Sequence, residues 1–153
     1  MHKRFTYKGK FKPINPHKYA GDVKNIVFRS LWERRFMKYC DTNRNVIAWN
    51  SEEVVIPYKS PIDGKYHRYY PDFLIRIKSS NDTKKTILIE VKPKKETRPP
   101  KKRKKTVRYL QEVKTWGVNE AKWKAAEEYC KDRKWEFKIL TEDHLLPWYF
   151  NYK

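Results

Sequence analysis

The sequence predicts an α/β domain in which helices flank a mixed central β-sheet. Three observations predict it. A stripe of apolar residues at helical spacing lies in the N-terminal third. Short Val/Ile-rich segments separated by turn residues follow it. The last third holds helical patterns that lead into one more apolar strand, and such a connection favours a crossover beside a parallel neighbour.

The elements are justified in order. Residues 1–25 are basic, carry Gly9, Pro13, Pro16 and Gly21, and show no period, so they are expected to form an extended basic arm. A single domain over 26–153 is expected to follow. From Phe28 to Cys40 the residues Phe28, Trp32, Phe36, Tyr39 and Cys40 fall on one helical stripe, with Ser30 available as a cap. Asp41-Thr42-Asn43 breaks that helix. Val46 to Trp49 and Glu53 to Tyr58 read as one or two strands, and Pro61-Ile-Asp63-Gly64 as a hairpin turn. One strand is expected from about Tyr66 to Lys78, a turn at Ser79–Asp82, and an apolar strand from Thr86 to Lys92 closed by Pro93. The run 94–105 carries like charges and Pro99-Pro100, which predicts an extended, mobile loop. Thr106 is expected to cap a helix ended by Gly117, and Asn119 to cap a second one to Arg133. Trp135 to Thr141 is the last strand. The aromatic tail Leu145–Tyr152 is expected to pack on the body.

Composition narrows the function classes. A length of 153 residues suits one domain. The hydrophobic content of 39% fills one core, while a mean hydropathy of −1.02 and the lack of a long apolar run predict no membrane span. The N-terminus has no apolar segment of the kind a secretory signal needs. Cys40 and Cys130 have no zinc-site spacing and are expected as buried free thiols in a reducing, intracellular setting. Lys and Arg number 37 against 18 Asp and Glu, a net charge of +19. So strong an imbalance points to a polyanion, with nucleic acid first.

Two strands carry the chemistry. In Tyr70–Ile77, alternation puts Phe73, Ile75 and Ile77 on one face and Asp72 on the other. In Ile87–Lys92, Ile87, Ile89 and Val91 share one face, Glu90 and Lys92 the opposite one. A hairpin pairing these strands brings Asp72 beside Glu90. Two carboxylates and a lysine on an otherwise apolar face are costly unless paired or metal-bound. Hard oxygen ligands of this kind suit Mg²⁺, with Mn²⁺ as a substitute. A phosphodiester hydrolase needs this set: an ion that polarises the phosphate and activates water, and a lysine that orients the water and offsets charge. The basic run adds a phosphate clamp that begins two residues after Lys92, formed by Lys94, Lys95, Arg98, Lys101, Lys102, Arg103, Lys104 and Lys105. Lys122 and Lys124 read as a solvated helix face. His17, His67 and His144 have no ligand spacing and stay outside the site.

Pro71-Asp72 followed by Glu90-Val91-Lys92, both within apolar strands and preceded by an acidic helix, resembles the PD-(D/E)xK nuclease superfamily. Tyr70-Pro-Asp-Phe73 and Leu88-Ile-Glu-Val-Lys-Pro93 look like its TnsA-type branch. Tyr7–Pro13, Arg29–Glu33, Tyr58–Lys65 and Gly117–Ala125 are similar to segments of the head-completion nucleases of tailed phages. The resemblance implies a restriction-endonuclease-like core and a metal-dependent DNA endonuclease. It adds Glu33, in Ser30-Leu-Trp-Glu33, as a further carboxylate of the catalytic and metal-binding set with Asp72, Glu90 and Lys92. It also implies work in phage head completion, in the host cytoplasm or with the virion, with DNA and capsid or portal proteins as partners. The RecB-like branch is disfavoured, since its Gln-x-x-x-Tyr pattern is missing after Gln111. Two other readings fit the same residues: a non-catalytic DNA-binding structural protein of the virion, and a junction-resolving endonuclease.

Overall fold

In a computed structural model of the chain, residues 8–145 are described. In chain order the elements are β1 (Gly9–Lys10), β2 (Val27–Phe28), α1 (Leu31–Thr42), β3 (Val46–Ser51), β4 (Ile56–Lys59), β5 (Tyr66–Tyr69), β6 (Phe73–Lys78), β7 (Lys84–Val91), α2 (Val107–Arg133) and β8 (Glu136–Leu140). The central sheet has the order β3-β6-β7-β8. Its first two pairings are antiparallel, and β7 and β8 are parallel, so the sheet is mixed as expected. The crossover from β7 to β8 is α2.

Strand parity sorts the core into two layers. Phe73, Ile75, Ile87 and Ile89 turn to one face, where Phe36, Met37 and Cys40 of α1 pack with Trp49, Tyr19 and Ile26. Leu88 turns to the other, where Trp123, Ala126 and Cys130 of α2 pack with Ile56, Tyr58 and Tyr69 of the β4–β5 hairpin. Burying each large side chain of this kind contributes roughly 1.5–3 kcal/mol. Both cysteines are buried and free. No helix among the described residues is long and apolar enough to cross a membrane.

Helix α1 begins later than its apolar stripe. Ser30 caps it, its Oγ accepting from the Glu33 amide at 3.1 Å, and Phe28 belongs to β2 instead. Thr106 caps α2 as expected, accepting from the Tyr109 amide at 3.1 Å. Gly117 does not end that helix, and Asn119 is not a cap but a buried position within it. The reason is packing: Trp116 and Trp123, one heptad apart, stand edge-to-face at 5.8 Å and bind both halves to the same layer. A glycine weakens a helix by about 1 kcal/mol but does not stop one whose flanks are anchored.

The strand expected over 66–78 is two strands in two sheets. β5 pairs with β4 in the separate hairpin, whereas β6 joins the central sheet. Pro71 lies at the break. It is buried and has no amide to donate, so a ladder cannot run through it. The segment 8–25, read as an extended arm, instead lies on the body. β1 pairs with β2, Phe11 donates its amide to the Ile26 carbonyl at 2.8 Å, and Tyr19 is buried against Trp49. Asp41 holds this segment by accepting the Ile14 and Asn15 amides at 2.7 and 2.8 Å. Arm residues 1–7 and tail residues 146–152 lie outside the described residues.

Candidate active site

The β6–β7 register decides where the carboxylates go. Phe73 is opposite Ile89, which places Asp72, one step before β6, opposite Glu90. Both side chains therefore share the face that α2 and the hairpin cover. Asp72 Oδ2 accepts the Val91 amide at 2.7 Å, which locks the carboxylate to the end of β7. Glu90 is buried, and Lys92 Nζ stands 3.9 Å from its Oε2. The Lys92 amide is tied to the Leu140 carbonyl at 2.9 Å, so the parallel strand β8 fixes the backbone that carries this lysine. The three residues read from the sequence are brought together.

The electrostatics are those of a crowded anionic site. Burial, then the charge of Glu90, pushes the Asp72 carboxyl well above its ordinary range. Burial raises Glu90 as well, while Lys92 opposes the rise. Two such carboxylates in a low-dielectric setting cannot both be ionised without a cation. Glu90 Oε1 and the hydroxyl of Tyr69 are buried, and neither makes a regular hydrogen bond among the described residues, while the phenol and the carboxylates of Glu90 and Asp72 lie within interacting distance of one another. Burial and then the Glu90 charge push the Tyr69 phenol up.

Glu33 arrives from the other side of the sheet, on α1. It is half-buried, and its carboxyl is raised to about 7 by burial first and the Asp72 charge second. It also serves the helix start: Oε1 accepts the Arg29 amide at 3.4 Å and Oε2 the Ser30 hydroxyl at 3.3 Å, close to a capping box. Arg29 is ion-paired with Glu52, whose φ of 56° is left-handed and whose amide donates to the Asp72 carbonyl at 3.2 Å. Among the described residues, no three His, Cys, Asp or Glu side chains converge closely enough to hold an ion by themselves. Asp72 and Glu90 are thus the close pair, with Glu33 in electrostatic reach. A magnesium ion is commonly held by one or two carboxylates, with waters and phosphate oxygens completing its shell. Glu90 Oε1, without a regular hydrogen bond among the described residues, and the raised proton affinity of the pair fit that role.

The basic run leaves β7 directly. It is not free throughout: residues 94–97 form a 3₁₀ turn, Lys94 pairs with Asp143 at 2.9 Å, and Arg103 pairs with Glu112 at 2.9 Å. Lys95, Arg98, Lys101, Lys102, Lys104 and Lys105 are exposed and make no ion pair among the described residues. His67 pairs with Asp63 at 2.7 Å on the hairpin, in a different sheet from Asp72.

Two residues of the site had no signal in the sequence. Lys122 of α2, read as solvated, rests over the rings of Tyr58 and Tyr69 at 5.7 and 5.6 Å. Its charge lowers the proton affinity of Glu90. Tyr69 enters because β5 leaves the central sheet. Neither position follows from strand parity, since both depend on how the hairpin packs on α2.

Residues 43–142 match the family model described as TnsA-like endonuclease N terminal. The head completion nuclease of Enterobacteria phage T4 is 44% identical over 145 residues, which is 92% of this chain and 94% of that protein. The matched span runs from just after α1 through β8 and takes in Asp72, Glu90 and Lys92, with their sheet and crossover helix. The chain belongs to the TnsA-like endonuclease family.

Proposed function

We propose that this protein hydrolyses phosphodiester bonds of DNA as a divalent-metal-dependent endonuclease of the PD-(D/E)xK type, acting in the completion of a phage head after DNA packaging. The observation that carries the reading is the buried pair Asp72 and Glu90, with Lys92 beside it and one carboxylate oxygen without a regular hydrogen bond among the described residues. Asp72 and Glu90 would hold Mg²⁺, or Mn²⁺ in its place, with Glu33 as the outer carboxylate. When bound, the ion polarises a phosphate oxygen and lowers the pKa of an attacking water. Lys92 orients that water and offsets the negative charge that builds on the phosphate. Asp72 is kept in place by the Val91 amide, so the site needs little reorganisation.

The exposed residues of the basic run, with the +19 excess, would bind backbone phosphates without reading bases. Low sequence preference follows. The name of the T4 relative supports a role in head completion; that role would set the protein in the host cytoplasm and at the assembling virion, with capsid or portal proteins as further partners. Linear and supercoiled DNA incubated with Mg²⁺, or with EDTA, test the reading. Cleavage with Mg²⁺, none with EDTA, and binding without cleavage by Asp72→Ala are expected. Lys92→Met should slow cleavage on the order of 10²–10⁴-fold. Cleavage that persists in EDTA or in Asp72→Ala would refute the assignment.

A further inference from the structure

The β4–β5 hairpin has two faces with opposite characters. Its inner face, Ile56, Tyr58 and Tyr69, is buried on α2 against Trp123 and Ala126. Its register pairs Pro57 with Arg68 and Lys59 with Tyr66, so these four share the outer face. Tyr66 is 75% exposed, Tyr70 is 45% exposed, and Lys59 and Arg68 are exposed as well. None of these four side chains makes a hydrogen bond or ion pair among the described residues. Tyr66 and Arg68 alternate on β5, and Tyr70 follows just past its end, two residues before Asp72 in the chain. The exposed rings and cation therefore end at the connection that carries Asp72.

Exposed tyrosines in strands also occur for their β-propensity alone. The position of this row argues for more. Its backing is anchored, so the rings stand on a fixed platform rather than a loose loop. Successive bases of an unpaired strand stack on such rings, while cations between them meet the phosphates. Four residues of extended chain separate Tyr66 from Tyr70 by about 13 Å. That spans roughly four base steps of about 3.4 Å. Bases held face-on by these rings belong to an unpaired strand, because duplex bases keep their faces covered by their neighbours.

We propose that the outer face of the β4–β5 hairpin is a binding track for an unpaired DNA strand, with Tyr70 at its end two residues from Asp72 in the chain. The inference rests on the nuclease reading for the identity of the polyanion, and it names the substrate class: DNA with a single-stranded end or segment. Tyr66 and Tyr70 supply stacking, and Lys59 and Arg68 supply phosphate contacts. This track is separate from the basic run at 94–105, which carries cations without interleaved rings.

The test is binding of fluorescent oligo-dT and of a blunt duplex of equal length, in EDTA so that nothing is cut. The full chain is compared with Tyr66→Ala/Tyr70→Ala, with Tyr66→Phe/Tyr70→Phe and with Arg68→Ala. The alanine pair should lose about 10-fold or more in affinity for oligo-dT and little for duplex. The phenylalanine pair should keep both, and Arg68→Ala should flatten the salt dependence on oligo-dT by roughly 0.7 in log–log slope. All are surface changes, and unchanged melting temperatures establish that the fold is intact. Equal losses on duplex and single strand overturn the proposal in favour of a general cationic patch. No loss on either overturns it in favour of a protein-docking face. Cleavage with Mg²⁺ is scored in a separate arm, so failure of the nuclease reading is distinguishable from failure of the strand track.

Discussion

Replacing Asp72 by asparagine should make the metal-free protein more stable while removing its response to Mg²⁺. The substitution is chosen because an asparagine Oδ1 can still accept the Val91 amide now bonded at 2.7 Å, so geometry is kept and only charge is lost. Asp72, Glu90 and Glu33 all have carboxyls raised in the folded state, by burial first. For each, the folded chain keeps a proton that the unfolded chain has released, so stability falls as pH rises from about 4 upward. For Glu33 that window ends at about 7. Asparagine removes one such group and relieves Glu33, whose carboxyl the Asp72 charge raises, which should raise stability at pH 8 by about 1–3 kcal/mol, the cost of an unsatisfied buried polar group. For a chain of this size that is roughly 2–12 °C in Tm, at about 2–4 °C per kcal/mol. Saturating Mg²⁺ should move wild type the same way, by about 2.7 kcal/mol at 100 times Kd, and leave Asp72→Asn unmoved. Thermal unfolding at pH 5 and pH 8, in EDTA and in Mg²⁺, measures all of this. A lower Tm for Asp72→Asn in EDTA at pH 8, or equal Mg²⁺ shifts in both proteins, would refute the reasoning.

Glu33→Gln should keep the helix start, because Gln still accepts the Arg29 amide, and should flatten the loss of stability between pH 4.5 and about 7. Tm against pH checks it, and an unchanged slope would show that Glu33 does not titrate in that window. Lys122→Met keeps the stem over Tyr58 and Tyr69 but removes the cation that favours ionised Glu90, so Tm in EDTA should fall, and fall more as pH rises. The half-exposed setting limits the fall to about 1 kcal/mol, or 2–4 °C. Gly117→Ala should stabilise the chain by about 0.5–1 kcal/mol, since the position is helical and, among the described residues, a Cβ there would meet only Pro61 Cγ at 3.7 Å. Urea midpoints measure it, and a lower midpoint would mean that the helix breaks at Gly117.

What was legible in the sequence followed from periods, and what was not followed from packing. Alternation alone put Asp72 on one face with Glu90 and Lys92, because a strand has only two faces and the apolar residues claim one of them. The register then had one free choice, and the observed pairing of Phe73 with Ile89 is the one that sets the carboxylates side by side. The crossover from α2 to a parallel β8 was legible for the same kind of reason, as a handedness rule acting on a helix between strands. Pro71 was a readable signal that the reading of one long strand passed over. Its missing amide divides the chain between two sheets, and that division gives the site its second wall. With β5 released from the central sheet, Tyr69 can face Glu90 and Tyr66 can face solvent. Gly117 and Lys122 mark the limit. Whether a glycine ends a helix depends on Trp116 and Trp123 sharing a layer, and whether a lysine is solvated depends on two tyrosines from a hairpin more than fifty residues away. Local pattern holds neither fact. The same hairpin that escaped the sequence reading brings Tyr58 and Tyr69 under Lys122 and into the layer that covers Glu90, so the strand division at Pro71 decides which side chains surround the carboxylate pair.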